Sequence, residues 1–120
     1  MKIFSFSRDE KLKKYNQIKL VFTNGKRHRG AFANLYVRTN DASRTRLGIV
    51  VRVPKAFKGR AVQRNRIKRL VREFYRLNKH TIVKGIDLVF EVFLSSAACR
   101  HDDIKTNAFN LCKKAGILQA

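Results

Sequence analysis

The chain has 120 residues, of which 44% are hydrophobic and nine are phenylalanine, so it can form one modest core and is not globally disordered. Its 28 lysines and arginines outnumber 8 acids and give a net charge of +20. Self-repulsion of that size destabilises a compact fold unless a polyanion neutralises it. No stretch reaches the roughly 18 to 20 apolar residues that span a membrane, so nucleic acid is favoured as the partner.

The N-terminal third predicts a tail, a helix and a strand. Residues 1–8 are basic, and we expect a mobile N-terminus there. The apolar spacing of residues 13–24 predicts a short amphipathic helix, with Gly25 as the glycine that follows its end. Residues 26–39 are rich in strand formers and predict the first strand.

Two further strands are predicted, one on each side of a long helical segment. Residues 40–43 favour a turn, and residues 47–53 form a second strand that ends at Pro54, so we expect a hairpin with the first strand. A third strand follows Gly85 over residues 86–94. Its apolar side chains fall on both faces, which predicts a central position in the sheet.

The segment between those strands, residues 60–79, predicts an amphipathic helix with an unusual polar face. At about 100° per residue, one side collects an apolar stripe: Ile67, Leu70, Val71, Phe74 and Leu77. The opposite side is almost purely cationic, and Glu73 is its one acid. Its other polar residues are Arg64, Asn65, Arg66, Lys68, Arg69, Arg72, Arg76 and Lys79. A solvated helix normally mixes charges of both signs, so this face predicts contact with a polyanion.

The last element is a helix over residues 100–115, with Ile104, Ala108 and Leu111 on its apolar side and Gly116 at its end. The predicted order is α-β-β-α-β-α. It describes an α+β fold in which helices pack on a central sheet, as a single domain over residues 1–120.

Catalytic and metal-binding patterns are missing from the sequence. The adjacent acids Asp102 and Asp103 are typical of a helix start, and no nucleophile, phosphate-loop or zinc motif occurs. Cys99 and Cys112 predict reduced thiols of a cytoplasmic protein, since they form no CxxC and the histidines are scattered. We expect neither a metal nor a cofactor bound by the protein itself.

A second candidate surface is aromatic. Phe22, Phe32 and Tyr36 lie near a set of cations: Lys19, Lys26, Arg27, Arg29 and Arg38. Stacking rings beside backbone-neutralising charges are typical of sites for single-stranded nucleic acid. The alternative is that the rings belong to the core. For Phe32 the core is the better explanation, for Phe22 core and surface fit equally well, and for Tyr36 the surface is the better explanation.

The helix motif Ala-Val-Gln-Arg-Asn-Arg-Ile-Lys-Arg-Leu-Val-Arg-Glu at residues 61–73 strongly resembles the protein subunit of bacterial ribonuclease P, whose pattern it matches at every fixed place. Weaker pieces follow in the family's order along nearly the whole chain: Lys13-Lys14, Val21-Phe22 with Gly25, Leu35-Tyr36, Leu47-Gly48, residues 84–87 and residues 113–116.

This resemblance implies an endoribonuclease that removes the 5′ leader from precursor tRNA, with the catalytic centre and its magnesium ions in an RNA subunit. The residues implied to bind the catalytic RNA are Arg60, Arg64, Asn65, Arg66, Lys68, Arg69, Arg72 and Arg76. A cleft between the first helix and the sheet is implied to hold the single-stranded leader, with Phe22 and Tyr36 at matching positions. The resemblance also implies a left-handed β-α-β crossover, where the general rule predicts a right-handed one.

Two departures from the family pattern affect that cleft. The loop before the basic helix is about three residues longer than usual, so Lys55 and Lys58 are both candidates for the family's loop lysine. Ile18 stands where the family commonly has an aromatic residue one turn before Phe22, and it can pack but cannot stack as a ring does.

Two other classes of binding protein compete with this interpretation. A ribosomal-type protein that binds structured RNA without a role in cleavage would share the charge and the cationic helix, but would not need the leader cleft. A DNA-binding module is disfavoured because neither a helix-turn-helix nor a zinc finger is apparent. We therefore expect two RNA partners, the catalytic RNA and precursor tRNA, and neither DNA nor a membrane.

Overall fold

The computed structural model describes residue 12 and residues 15–30, 33–40, 44–53, 60–93 and 101–118. Within these residues, three helices and four strands follow one another in the order α1 (Tyr15–Asn24), β1 (Lys26–Arg29), β2 (Ala33–Thr39), β3 (Arg46–Arg52), α2 (Arg60–Asn78), β4 (Ile86–Phe93) and α3 (His101–Ala115). A short 3₁₀ turn, Lys79–Thr81, follows α2. The predicted α+β class is confirmed. Residues 1–8, which we predicted to be mobile, lie outside the described residues. The single domain predicted over residues 1–120 also includes residues outside them and stays a prediction.

The four strands form one mixed sheet in the order β1-β2-β4-β3, and β4 occupies the predicted central position. It pairs antiparallel with β2 and parallel with β3. Seven of its eight residues are buried, so burial on both faces explains its apolar sequence. The parallel pair β3–β4 is joined through α2, while the left-handed sense of that crossover stays a prediction.

The strand pairing differs from the sequence prediction in two ways. The single strand predicted over residues 26–39 is two strands, because the chain reverses at Gly30, whose N–H donates to the Ala33 carbonyl at 2.8 Å. The predicted hairpin between β2 and β3 is wrong: β4 lies between them, and the hairpin is formed by β1 and β2 instead.

The main core lies between one face of the sheet and helices α2 and α3. It contains side chains of β4 (Leu88, Phe90 and Val92), of α2 (Ile67, Leu70, Val71, Phe74 and Tyr75) and of α3 (Ile104, Ala108, Leu111 and Cys112). The Phe74 and Phe90 rings meet edge to face with their centroids 6.3 Å apart. The apolar stripe predicted for α2 is therefore the surface that packs on the sheet.

Two apolar residues, one in the stripe of α2 and one in the predicted third strand, are more exposed than those predictions imply. Leu77 is 43% exposed, because it lies beside Phe109 in a surface groove between α2 and α3. Phe93, at the end of β4, is 41% exposed. Tyr75, by contrast, is buried, and its hydroxyl reaches the Thr45 carbonyl at 3.4 Å.

The opposite face of the sheet carries α1 and a smaller core of Leu12, Val21 and Val89, against which Ile18, Phe22, Tyr36 and Val50 pack. Gly48 of β3 permits this close approach, since a Cβ at that position would stand 3.1 Å from Cβ of Leu12. The predicted helix ends are confirmed: the Gly25 N–H donates to the Val21 carbonyl at 2.8 Å, and Gly116 closes α3 with a φ of 71°.

Candidate RNA-binding site

The cationic face of α2 points away from the core. Asn65, Arg66, Arg69, Arg72 and Arg76 are exposed, whereas Arg64 and Lys68 are half-buried and Arg60 is the first residue of the helix. The one acid of the helix, Glu73, faces Lys105 of α3 at 3.7 Å. Within the described part of the chain, no acid pairs with Arg64, Arg69, Arg72 or Arg76. The helix therefore presents uncompensated positive charge along one side.

Arg64 carries the least satisfied donor of this face. Its Nε is buried and has no hydrogen-bond partner. An unpaired buried donor costs free energy, roughly 1–3 kcal/mol for a typical group, which an acceptor from a bound molecule can recover. The guanidinium fork suits a phosphate, because it donates two parallel hydrogen bonds.

On the other side of the sheet, α1 and β2 bring two aromatic rings together. The rings of Phe22 and Tyr36 lie edge to face, with centroids 4.6 Å apart and an interplanar angle of 82°. Both side chains are half-buried, so each contributes to the small core and still has accessible surface. Ile18, one turn earlier on α1, is half-buried in the same cluster and serves as packing.

Sheet register extends this aromatic site into a surface with cations at its edge. Arg27 of β1 is directly opposite Tyr36, and Arg29 is opposite Asn34. Both arginines are exposed, as is Lys19 of α1. The surface formed by Phe22, Tyr36 and the sheet residues beside them, with Arg27 at its rim, is where the resemblance predicts the leader, and we call it the leader cleft after that prediction.

A buried carboxylate lies next to the aromatic pair. Glu91 of β4 is only 8% exposed, and its Oε1 accepts hydrogen bonds from the Tyr36 hydroxyl and from Asn34 Nδ2, both at 3.4 Å. Its Oε2 accepts from Arg52 Nε at 3.1 Å. Glu91 therefore lies beneath the Tyr36 ring, with Oε1 in reach of its hydroxyl.

A second carboxylate, Asp87, lies four residues earlier on the same strand and the same face. It is 1% exposed and accepts hydrogen bonds from Asn40 at 2.7 Å and from Arg46 at two positions, each 2.9 Å long. Arg38 stands 3.8 Å away on the β2 side. This carboxylate ties the ends of three strands together.

The titration of two buried groups is shifted. Burial first, then the nearby charges of Lys26 and Lys114, lower the pKa of His28 on β1. Burial raises the pKa of Cys112 to about 12, so its thiol stays neutral and weakly reactive at neutral pH. Neither group carries the pattern of a nucleophile with a base beside it.

Among the described residues, no group of three or more His, Cys, Asp or Glu side chains is arranged to hold a metal ion. No helix in that part of the chain is both long and apolar enough to cross a membrane.

The structure places the residues of the two predicted surfaces on opposite faces of the sheet. The α2 cations lie on the side of the sheet that α2 and α3 cover. Ile18, Phe22 and Tyr36 lie on the side that α1 covers. Lys55, Lys58 and Phe32 fall outside the described residues. Sequence reasoning missed Asn34, Arg52 and Glu91, although the period of two along β4 places Glu91 on the same face as Val89.

Comparison with known proteins points to one family. The sequence model of a family described as Ribonuclease P matches residues 6–116. The ribonuclease P protein component of Clostridium botulinum (strain Langeland) is 38% identical over 111 residues, which cover 92% of this chain and 97% of that protein. The corresponding protein of Thermotoga maritima is 41% identical over 85 residues, covering 71% of this chain and 70% of its own.

Solved structures show the same architecture. The RNase P protein of Staphylococcus aureus superposes with a TM-score of 0.80 at 24% identity, covering 92% of this chain and 98% of that one, which supports the fold alone. The RNase P protein of Thermotoga maritima superposes with a TM-score of 0.71 at 31% identity, covering 88% and 96%. Because the family match spans nearly the whole sequence, including the cationic helix, the chain belongs to the ribonuclease P protein family.

Proposed function

We propose that this chain binds two RNAs at once, the catalytic RNA on the cationic face of α2 and the 5′ leader of precursor tRNA in the leader cleft. As a member of its family, the chain is the protein subunit of an endoribonuclease that processes the 5′ leader of tRNA with an RNA subunit. The observation that carries the proposal is the placement of α1 and α2 on opposite faces of one sheet.

The case for the catalytic RNA rests on charge. Exposed arginines without acidic partners can neutralise phosphates and release counterions, and that gain supplies much of the affinity of RNA-binding proteins. Arg64 adds a buried Nε that a phosphate oxygen would satisfy. Asn65, exposed within the stripe, offers a donor and an acceptor to a ribose hydroxyl or a base edge.

The case for the leader rests on the aromatic pair. Single-stranded RNA exposes base faces that stack on aromatic side chains, at roughly 1–3 kcal/mol per base. Phe22 holds the Tyr36 ring edge to face, and Glu91 accepts from its hydroxyl, so the ring is oriented before a base arrives. Arg27, opposite Tyr36 at the rim, is placed to follow the leader's phosphates.

The chemistry of strand cleavage is assigned to the RNA subunit, which would hold the magnesium ions that the reaction needs. The two buried carboxylates of the cleft face do not suit a cation, because Arg46 engages Asp87 and Arg52 engages Glu91. The role proposed for this chain is to bind and orient the substrate. We also propose that it acts in the cytoplasm, in keeping with the absence of a disulfide pattern in its sequence.

The test compares precursor tRNA with mature tRNA, which has no leader, in binding to the assembled holoenzyme. Tyr36→Ala should weaken precursor binding by about 1–3 kcal/mol, the range typical of a lost base stack, and leave mature tRNA unaffected. Tyr15→Ala is the matched control, because Tyr15 is a tyrosine of α1 that is 75% exposed and outside the cluster. Arg64→Ala should weaken holoenzyme assembly and affect both tRNAs alike.

Two results would overturn the proposal. A folded Tyr36→Ala protein that still distinguishes precursor from mature tRNA as well as the parent would exclude the cleft. Leader cleavage by the purified protein free of RNA would exclude the division of labour. A melting curve of each variant separates loss of binding from loss of the fold.

A further inference from the structure

The two buried carboxylates of β4 are satisfied to different degrees. Asp87 accepts three hydrogen bonds of 2.7, 2.9 and 2.9 Å. Glu91 accepts one of 3.1 Å and two of 3.4 Å. Hydrogen bonds from nitrogen are most common near 2.9–3.0 Å and those from a hydroxyl near 2.7–2.8 Å, so both bonds to Oε1 of Glu91 are long.

Long bonds to a charged acceptor leave capacity for another donor. A carboxylate offers about four lone-pair sites, and charge-assisted hydrogen bonds are shorter and stronger than neutral ones. Asp87 is already enclosed by Arg46, Asn40 and Arg38. Glu91 keeps an acceptor oxygen whose present donors, Tyr36 and Asn34, are the side chains of the leader cleft itself.

The surroundings of Glu91 favour a base over a phosphate. Glu91 is acceptor-only and already paired with Arg52, so it offers no donor to phosphate oxygens, and the backbone of a bound strand is left to exposed cations such as Arg27. The Tyr36 hydroxyl contacts Glu91, and Phe93, which is 41% exposed, lies two residues along β4 on the same face of the strand. A base stacked there turns its edge, where its donors are, toward the carboxylate.

We propose that Glu91 is a specificity-determining residue of the leader cleft, whose Oε1 accepts a hydrogen bond from the exocyclic amino group of a leader base stacked at Tyr36. This inference rests on the proposed function and adds a preference to it. Adenine, cytosine and guanine carry such an amino group. Uracil has no such group. Its single ring N–H lies between two carbonyl oxygens, and the carboxylate repels those oxygens.

The sharpest comparison uses cytosine against uracil, since the two pyrimidines are alike in size and differ at the amino group. Holoenzyme binding is measured for precursor tRNAs with leaders made only of cytidine or only of uridine, and each value is divided by that for mature tRNA. We expect the cytidine leader to bind about tenfold more tightly, as for a hydrogen bond to a charged acceptor.

Glu91→Gln should abolish or reverse the preference for the cytidine leader, because an amide offers uracil both a donor and an acceptor. Glu73→Gln is the matched control: it makes the same change of charge on α2, where Glu73 faces Lys105, and should leave the ratio unchanged. A purely structural role for Glu91 would weaken both leaders equally and leave the ratio as it is in the parent.

A second measurement leaves the protein untouched. A leader of N4,N4-dimethylcytidine has lost the amino donors, and the parent holoenzyme should bind it as weakly as the uridine leader. Equal affinity for cytidine and dimethylcytidine leaders, or a Glu91→Gln ratio equal to that of the parent, overturns the inference. If Tyr36→Ala still lowers precursor binding in that case, the leader cleft stands and only the role of Glu91 is lost.

Discussion

Arg46 holds the Asp87 carboxylate with two parallel hydrogen bonds across the β3–β4 pair, Nε to Oδ1 and Nη2 to Oδ2, each 2.9 Å long. Asp87 is 1% exposed, and Asn40, just after β2, donates to the same Oδ1 at 2.7 Å. One carboxylate therefore connects β4 to both of its neighbours. The pair thus reinforces the register that the backbone ladders set among these three strands.

Removal of Arg46 should destabilise the fold measurably. Arg46→Ala leaves Asp87 buried with only Asn40 and the more distant Arg38, and we expect the free energy of unfolding to fall by about 2 kcal/mol. Chemical denaturation measures the change. Arg52→Ala is the comparison, because Arg52 is 58% exposed and makes one 3.1 Å bond to Glu91, so its removal should cost less than that of Arg46. Equal losses in both variants would contradict a special role for Arg46.

The cationic face of α2 should reveal itself in the salt dependence of binding. If α2 contacts phosphates of the catalytic RNA, the logarithm of affinity falls by about 0.7–0.9 per log unit of salt for each contact. Arg69→Ala or Arg72→Ala should lower both the affinity and that slope by about one contact. Lys113→Ala, at an exposed cation of α3, should leave the slope as it is. An unchanged slope in both arginine variants would place the RNA elsewhere.

The stability of the protein should fall in mild acid because of His28. Burial and the charges of Lys26 and Lys114 lower the pKa of His28 in the folded protein, whereas the unfolded chain keeps the ordinary value of 6.5. Below pH 6.5, the unfolded chain therefore takes up a proton more readily than the folded chain does. The contribution of neutral His28 to the free energy of unfolding is complete above pH 6.5. It is lost as the pH falls below that value, with a slope of at most about 1.4 kcal/mol per pH unit. Thermal melts between neutral pH and pH 5 measure the loss.

His28→Gln removes this titration and should flatten the pH dependence by that amount. If His28→Gln has the same slope as the parent, the acid sensitivity originates in other groups.

Local sequence pattern predicted the helices well because their packing is periodic. The predicted helix over residues 60–79 is observed as Arg60–Asn78, and four of the five residues in its apolar stripe are buried. The fifth, Leu77, is exposed because the last turn of α2 reaches past the sheet to the groove beside Phe109. Periodicity indicates which side of a helix faces the core, but not where the core ends.

Strand pairing could not be predicted in the same way. The alternation of β2 and β3 fits a hairpin as well as it fits two strands separated by a third, since both arrangements bury the same faces. The insertion of β4 between them depends on contacts across more than forty residues, such as Arg46 with Asp87. The β1–β2 reversal had a local signal, Gly30, within the predicted strand.

Prediction of the candidate site was limited by the same long-range pairing. Phe22 and Tyr36 were recognised as aromatic residues beside cations, and the structure brings their rings together. Glu91 was missed, because its nearness to Tyr36 arises only when β4 pairs with β2. In a chain of net charge +20, a buried acid is a feature that composition alone does not point to.

The position of β4 in the sheet also orders events during synthesis. Tyr36 and Glu91 are separated by 55 residues, and α2 lies between them in the sequence. The β1–β2 hairpin and the cationic helix consist of local contacts and can form as the chain leaves the ribosome, whereas the floor of the cleft must wait for β4. Under the proposed function, the nascent chain gains its attraction for RNA before it gains the cleft that would choose among leaders.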